Sequence, residues 1–220
     1  MIIINSPHNP SGMLFSEEDM LELQRLTEKN DLLVLSDEVY EHIIFDGNIH
    51  QSASKFEALA NRSFITASFG KTFHNTGWKM GYCAAPEYLM KEFKKVHQFV
   101  VFCVNHPFQK AFATYLKDVN HYLKLSGFYQ QKRDFFLHLM EGSNFKVIPS
   151  KGTYFQMLDF SEITNESDII FAERLTKELK IATIPTSVFN EGGKDYKQIR
   201  VCFAKTDETL IEAASILKNL

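Results

Sequence analysis

The sequence predicts an α/β protein, a mostly parallel sheet with flanking helices followed by a small α+β domain at the C-terminal end. Short, continuously apolar runs at residues 2–5, 31–36 and 63–67 have the texture of strands covered on both faces. Amphipathic stretches alternate with such runs, which is the pattern of a parallel sheet with crossover helices. Beyond Gly142 the runs become shorter and cluster around turn residues, so a second unit of different texture is expected. The boundary is placed near residue 120, giving one domain over 1–120 and a smaller one over 121–220.

In chain order, Ile2–Asn5 is the first strand, broken by Ser6-Pro7-His8-Asn9-Pro10-Ser11-Gly12. Ser16 caps a helix whose first turn carries Glu17, Glu18 and Asp19, acids suited to its positive end, with Met20, Leu21, Leu23 and Leu26 as its apolar face. A second strand spans 31–36 and leads into Asp37-Glu38-Val39-Tyr40; a third spans 63–67 and a fourth 80–84. Residues 86–102 read as a helix with Tyr88, Leu89, Phe93, Val96 and Val100 on one side. Pro107 suits the first turn of the next helix, which runs to about 117. A long amphipathic pattern covers 119–140. Residues 145–148 and 153–158 are expected to pair as a hairpin around Pro149-Ser150-Lys151-Gly152. A helix over 167–179, strands at 181–184 and 198–203, and a helix over 207–217 follow.

Composition narrows the function. The net charge of −3 offers no basic face for nucleic acid. No run approaches the ~18 apolar residues of a membrane span, and residues 1–5 lack the basic and long apolar regions of a signal peptide. The three cysteines are scattered, with no C-x-x-C, as reduced cytosolic thiols are, so a cytoplasmic location is expected. The histidines form no H-x-H or H-x-x-x-H, and no metal site is expected. The apolar run starts at residue 2 with no lead-in, which reads as a piece of a longer protein.

The chemistry-bearing stretch is Ser68-Phe69-Gly70-Lys71-Thr72, continuing to Gly77-Trp78-Lys79-Met80-Gly81-Tyr82. A P-loop needs a glycine five positions before Gly70, where Ile65 stands. The Ser-x-x-Lys nucleophile enzymes need S-D-N and K-T-G, and here Ser36-Asp37 is followed by Glu38 and Lys71-Thr72 by Phe73. What remains is a surface lysine on a loop, or an amine that forms a Schiff base with an aldehyde cofactor. Asn9, Asp37 and Ser68–Lys71 each lie just past the carboxyl end of a strand, where parallel sheets bind ligands. Asp37 is either a solvated acid or turn cap, or a carboxylate that keeps a pyridinium nitrogen protonated, the electron sink pyridoxal phosphate requires. Tyr40, one turn on, and Asn9 are either packing and turn residues or hydrogen-bond partners of the cofactor's phenolate. Ser68 and Lys79 suit a phosphate. Arg200, in a strand with apolar alternate neighbours, is either in a structural ion pair or a clamp on a substrate carboxylate.

The ordered set Asn9-Pro10-Ser11-Gly12, Ser36-Asp37-Glu38-Val39-Tyr40, Ser68-Phe69-Gly70-Lys71, Gly77-Trp78-Lys79-Met80-Gly81-Tyr82 and Arg200-Val201-Cys202-Phe203-Ala204-Lys205 resembles the fold-type I, class I/II aminotransferases, most closely the methionine and kynurenine aminotransferase branch. The resemblance implies that residues 1–120 are the C-terminal part of a pyridoxal-phosphate-binding large domain. It implies transfer of an amino group from methionine, an aromatic amino acid, kynurenine or glutamine to a 2-oxo acid, in a homodimer. It assigns Lys71 as the Schiff-base lysine, Asp37 to the ring nitrogen, and Tyr40 and Asn9 to the phenolate oxygen. Ser68 and Lys79 fall to the phosphate, and Arg200 to the substrate carboxylate. Family members are nearly twice as long, and the part not represented here is N-terminal; it supplies the glycine-containing phosphate turn and the ring stacked on the cofactor. Two alternatives stand beside amino transfer: a pyridoxal phosphate C–S β-lyase, and a non-catalytic fragment or regulator segment.

Overall fold

The computed structural model describes all of residues 1–220, which fall into two compact units, 1–7 with 13–126, and 8–12 with 127–220. In the first unit β1 (Ile2–Asn5), β2 (Val34–Asp37), β3 (Ser63–Ser68) and β4 (Gly81–Ala84) form one sheet in that order. β1, β2 and β3 are parallel, with Asn5 opposite Asp37 and Asp37 opposite Thr66, while β4 runs antiparallel to β3. The sheet is therefore mostly parallel, as expected, with one antiparallel edge.

Helix α1 (Glu17–Lys29) starts where the sequence places it. Ser16 accepts the Asp19 N–H and Asp19 reaches back to the Ser16 N–H, a reciprocal cap that satisfies two donors the helix end leaves open. Its buried side is narrower than the apolar pattern suggests: Met20 and Thr27 are buried, Leu23 is partly buried, and Leu21 and Leu26 are exposed. Met20 joins Ile4, Val34, Ala53, Phe56, Leu59 and Ile65 in a core on one side of the sheet. Between β2 and β3 the crossover holds only a 3₁₀ turn, Ala53–Lys55, and the single turn α2 (Glu57–Ala60). α3 (Phe69–Thr72) directly follows β3.

The next helices, of which the last runs from residue 127 onward in the second unit, correct two expectations. α4 (Glu87–Val100) buries Leu89, whereas Tyr88, Val96 and Val100 are exposed, so the expected apolar side is not covered. α5 (His106–Tyr115) begins as expected, with Asn105 accepting the Phe108 N–H and Pro107 in the first turn. The pattern over 119–140 is two helices, α6 (Asn120–Leu123) and α7 (Leu125–Met140). α7 buries Tyr129, Arg133, Phe136 and Met140 at helical spacing, while Leu123 and Phe128 face solvent.

The second unit carries an antiparallel sheet in the order β5-β7-β6, from β5 (Phe155–Asp159), β6 (Ile184–Pro185) and β7 (Gln198–Cys202), with α8 (Asp168–Lys177) and α9 (Asp207–Leu217). Leu158, Phe160, Phe171, Leu175, Ile199, Phe203, Leu210 and Leu217 are among its buried residues. The hairpin expected over 145–158 is reduced to one bridge, Lys146 to Asp159. A buried side chain takes the place of the ladder: Gln156 Oε1 accepts the Ser150 N–H at 3.0 Å and its Nε2 donates to the Ile148 carbonyl at 2.8 Å. β5 is thereby left to pair with β7, residues 198–202 being too far along the chain for local patterning to reveal it.

Candidate functional site

In the first unit, parallel pairing sends β2 and β3 out of the sheet at the same end, so Asp37 and the Ser68–Lys71 turn emerge side by side. The Asp37 carbonyl is fixed by Asn5 Nδ2 at 2.9 Å and the Ser6 N–H at 3.1 Å. Its half-buried carboxylate accepts the Val39 N–H at 3.3 Å. Burial pushes the Asp37 carboxyl above the ordinary aspartate value; the Val39 bond and the charge of Lys71 pull it down, and the neighbouring Glu38 adds to the rise. Tyr40 lies buried on the turn that follows, its carbonyl accepting the Ile43 N–H.

Ser68 ends β3 and starts α3, and its hydroxyl does not cap that turn. Lys71 is half-buried on α3. Gly70 makes the turn possible: a Cβ there would stand 2.9 Å from Thr76 Cα, so only a bare backbone lets the 75–78 segment close over it, with the Asn75 N–H donating to the Gly70 carbonyl at 3.1 Å. An aromatic stack supports this closure. Trp78 lies on Phe108 with centroids 4.2 Å apart, and Phe69 and Phe73 flank Phe112 at 4.8 and 5.7 Å. Lys79 follows in a left-handed conformation and is exposed, its N–H bonded to the Thr76 carbonyl.

Asn9 and Arg200 belong to the second unit. Arg200, in β7, donates from Nη1 to Asn9 Oδ1 at 2.6 Å, and its guanidinium lies 4.0 Å from the Phe155 ring centre and 5.6 Å from that of Phe189. Stacking on a flat ring holds a guanidinium in plane, the orientation that two-point contact with a carboxylate needs. The Asn9 carbonyl oxygen is turned to Arg200, so what its amide offers an anionic oxygen is the NH₂ group. The loop carrying Asn9 closes on Gly12, at φ +69°, where a Cβ would collide with Ser150 Cβ at 2.4 Å.

Two residues to which the sequence assigned no role stand beneath Asp37. Glu38 is buried and accepts from Ser36 Oγ at 2.8 Å, the Ala53 N–H at 2.9 Å and His50 Nε2 at 2.8 Å. Burial favours its neutral form, but the bonds from His50, Ala53 and Ser36 together win and hold it below the usual glutamate value. An acid placed directly after a buried strand, with a serine two residues before it, is the signal that could have pointed to it. No group of three or more His, Cys, Asp or Glu side chains is arranged to hold a metal ion, and no helix is long and apolar enough to cross a membrane. Cys83, Cys103 and Cys202 are free thiols.

Comparison with known proteins follows this geometry. Residues 1–217 match the sequence profile described as aminotransferase class I and II. The chain is 42% identical to the methionine aminotransferase of Escherichia coli (strain K12), covering 100% of this chain and 57% of that protein. It is 34% identical to kynurenine–oxoglutarate transaminase 3 of Bos taurus, covering 99% of this chain and 52% of that one. The crystal structure of an Escherichia coli protein with methionine aminotransferase function superimposes with a TM-score of 0.95 at 42% identity over 100% of this chain and 58% of that chain. N-succinyldiaminopimelate aminotransferase from Mycobacterium tuberculosis gives 0.92 at 31% identity, over 99% of this chain and 57% of that one. The chain thus spans about half the length of the curated relatives it matches.

Proposed function

Because the chain belongs to the class I and II aminotransferases, a family of pyridoxal phosphate enzymes, we propose that it carries the reacting part of an amino-transfer site. The substrates are methionine, an aromatic amino acid, kynurenine or glutamine, with a 2-oxo acid as acceptor. The protein works as a homodimer in the cytosol, which its relatives' family and its scattered free thiols support.

The residues of the first unit fit the cofactor chemically. Asp37 is an acceptor for a protonated ring nitrogen, Lys71 an amine for the aldehyde, Tyr40 a hydroxyl for the phenolate, and Ser68 and Lys79 are donors for the phosphate. The observation that carries the reading is the emergence of Asp37 and the Ser68–Lys71 turn from adjacent parallel strands, with Lys71 close enough to act on the Asp37 charge. When bound, the cofactor supplies a cationic ring that draws electrons from the substrate carbon. Lys71 Nζ is the amine that would hold the aldehyde and, when free, would take the proton from the substrate's α-carbon. Asp37 would keep the ring nitrogen charged. On the second unit, the Asn9 NH₂ group would suit a phenolate oxygen, and Arg200, held flat by Phe155, would offer a substrate carboxylate paired charge-assisted bonds.

Titration of the purified chain with pyridoxal phosphate tests this. A new visible absorption band that Lys71→Ala abolishes is expected; its absence from the wild-type chain would refute the assignment of activity to these 220 residues. Methionine should then be consumed only when a 2-oxo acid is supplied. Turnover indifferent to the acceptor would favour C–S bond cleavage instead.

A further inference from the structure

Glu38 and His50 are buried or nearly so, and neither has a part in the reaction described above. Glu38 adjoins Asp37 at the end of an extended strand, where successive side chains point to opposite sides. Whatever locks Glu38 therefore also sets the rotation of the backbone that aims Asp37. The lock has three donors from three places: Ser36 Oγ on β2, the Ala53 N–H at the start of the 3₁₀ turn, and His50 Nε2 on the preceding loop. The Glu38 N–H donates to the Thr66 carbonyl on β3 at 2.8 Å. We propose that Glu38 and His50 are positioning residues for Asp37: the pair fixes the direction of the Asp37 carboxylate and keeps a negative charge behind it.

A pin alone does not require a charge. Apolar packing of similar volume generally serves stability as well as or better than a buried ion or ion pair. A charge acts at a distance, and the group it acts on is Asp37, where Glu38 is felt as a neighbour of like sign and Lys71 as one of opposite sign. The other titratable groups around the pair are Glu41, His42, Tyr82 and Lys55, whose ammonium donates to the His50 carbonyl. Tyr82 donates its hydroxyl to Glu41 at 2.8 Å, and His42 Nε2 lies 3.7 Å from Glu41. Of the carboxylates Glu38 and Glu41, Glu38 is the one felt at Asp37, and a negative neighbour makes Asp37 a stronger partner for a cation. His50 serves to keep Glu38 ionised. An ionised carboxylate only accepts, so Nε2 is the donating nitrogen, and the buried Nδ1 has no hydrogen-bond partner. The only side-chain hydrogen bond of the imidazole is thus the one to Glu38.

The inference rests on Asp37 facing a cationic ring nitrogen, but its test does not need the cofactor. With ¹³C-labelled aspartate in the cofactor-free chain, the Asp37 carboxyl titration is followed by NMR and assigned by its loss in Asp37→Asn. Glu38→Gln keeps the shape and the acceptor for Ser36 and Ala53, and removes the charge; the Asp37 midpoint is expected to fall. His50→Phe keeps a ring and removes the bond that holds Glu38 ionised, so Glu38 takes up a proton earlier and the Asp37 midpoint falls as well. Glu38→Asp restores the charge and should return the midpoint toward the wild-type value. A purely structural pin would lower the urea midpoint in these variants and leave the Asp37 titration where it was, and that result overturns the proposal. An Asp37 midpoint that falls in a chain showing no visible band with pyridoxal phosphate would sink the amino-transfer reading and leave the pair standing.

Discussion

Asp168→Ala should destabilise the second unit more than any change of a surface acid. Asp168 is 1% exposed and opens α8. Its Oδ2 accepts the Ser187 N–H at 2.7 Å and its Oδ1 the Ser187 hydroxyl at 2.8 Å. Ser187 is itself buried, so alanine leaves two interior donors without an acceptor. Each costs about 1–3 kcal/mol, giving roughly 2–6 kcal/mol in all, a large part of the ~5–15 kcal/mol that holds a typical domain folded. At about 2–4 °C per kcal/mol for a chain of this size, the melting temperature should fall by roughly 4–24 °C. Asp168→Asn retains one acceptor and should lose about half as much. The effect reaches the site, because Ser187 begins the turn that carries Phe189 over the Arg200 guanidinium. Urea unfolding reads the free energy, and amide hydrogen exchange at Ser187 reads the local opening. An Asp168→Ala chain within about 0.5 kcal/mol of wild type, the range of an ordinary surface substitution, would refute the reasoning.

Two further outcomes are expected. Gly70→Ala forces a Cβ to within 2.9 Å of Thr76 Cα; overpacking of this kind costs about 1–3 kcal/mol, and the melt should show it together with weaker retention of any cofactor by Lys71. An unchanged melt would mean that the 70–76 closure yields freely. Glu38 is held below the usual glutamate value when folded, so its contribution to stability is fully present above the unfolded value near ~4.3 and is lost as pH falls through the lower folded value. The urea midpoint of Glu38→Gln should therefore lie below wild type at neutral pH and converge on it in acid. A gap that persists below both values would show that the bonds do not depend on the carboxylate charge.

Much of the local structure was legible because its causes are local. Ser16 with its following acids, and Pro107, mark helix starts within one turn, and the apolar runs mark β1 and β3 at or within one residue of their observed ends. Periodicity misled where it implied a neighbour. Leu21, Leu26, Val96 and Val100 have the spacing of a packed face and lie exposed. The 145–158 hairpin failed because Gln156 satisfies with one side chain the backbone groups that a ladder would have used.

The candidate site divides in the same way. Residue chemistry and order within the chain singled out Asn9, Asp37, Tyr40, Ser68, Lys71, Lys79 and Arg200, since an amine, a carboxylate, phosphate donors and a clamp are properties of side chains and motifs. By itself the sequence determined the strand–helix alternation, the capped helix starts and this inventory of reactive groups, all set by forces acting over a few residues. Only the tertiary structure decided that β4 turns back against β3, that the 8–12 loop belongs with the second unit, that Arg200 meets Asn9 across 191 positions of chain, and that Glu38 is sealed beneath Asp37 by His50. These depend on which distant groups pay the entropy of meeting, and that follows from burial and pairing of the whole chain, which no window of sequence contains.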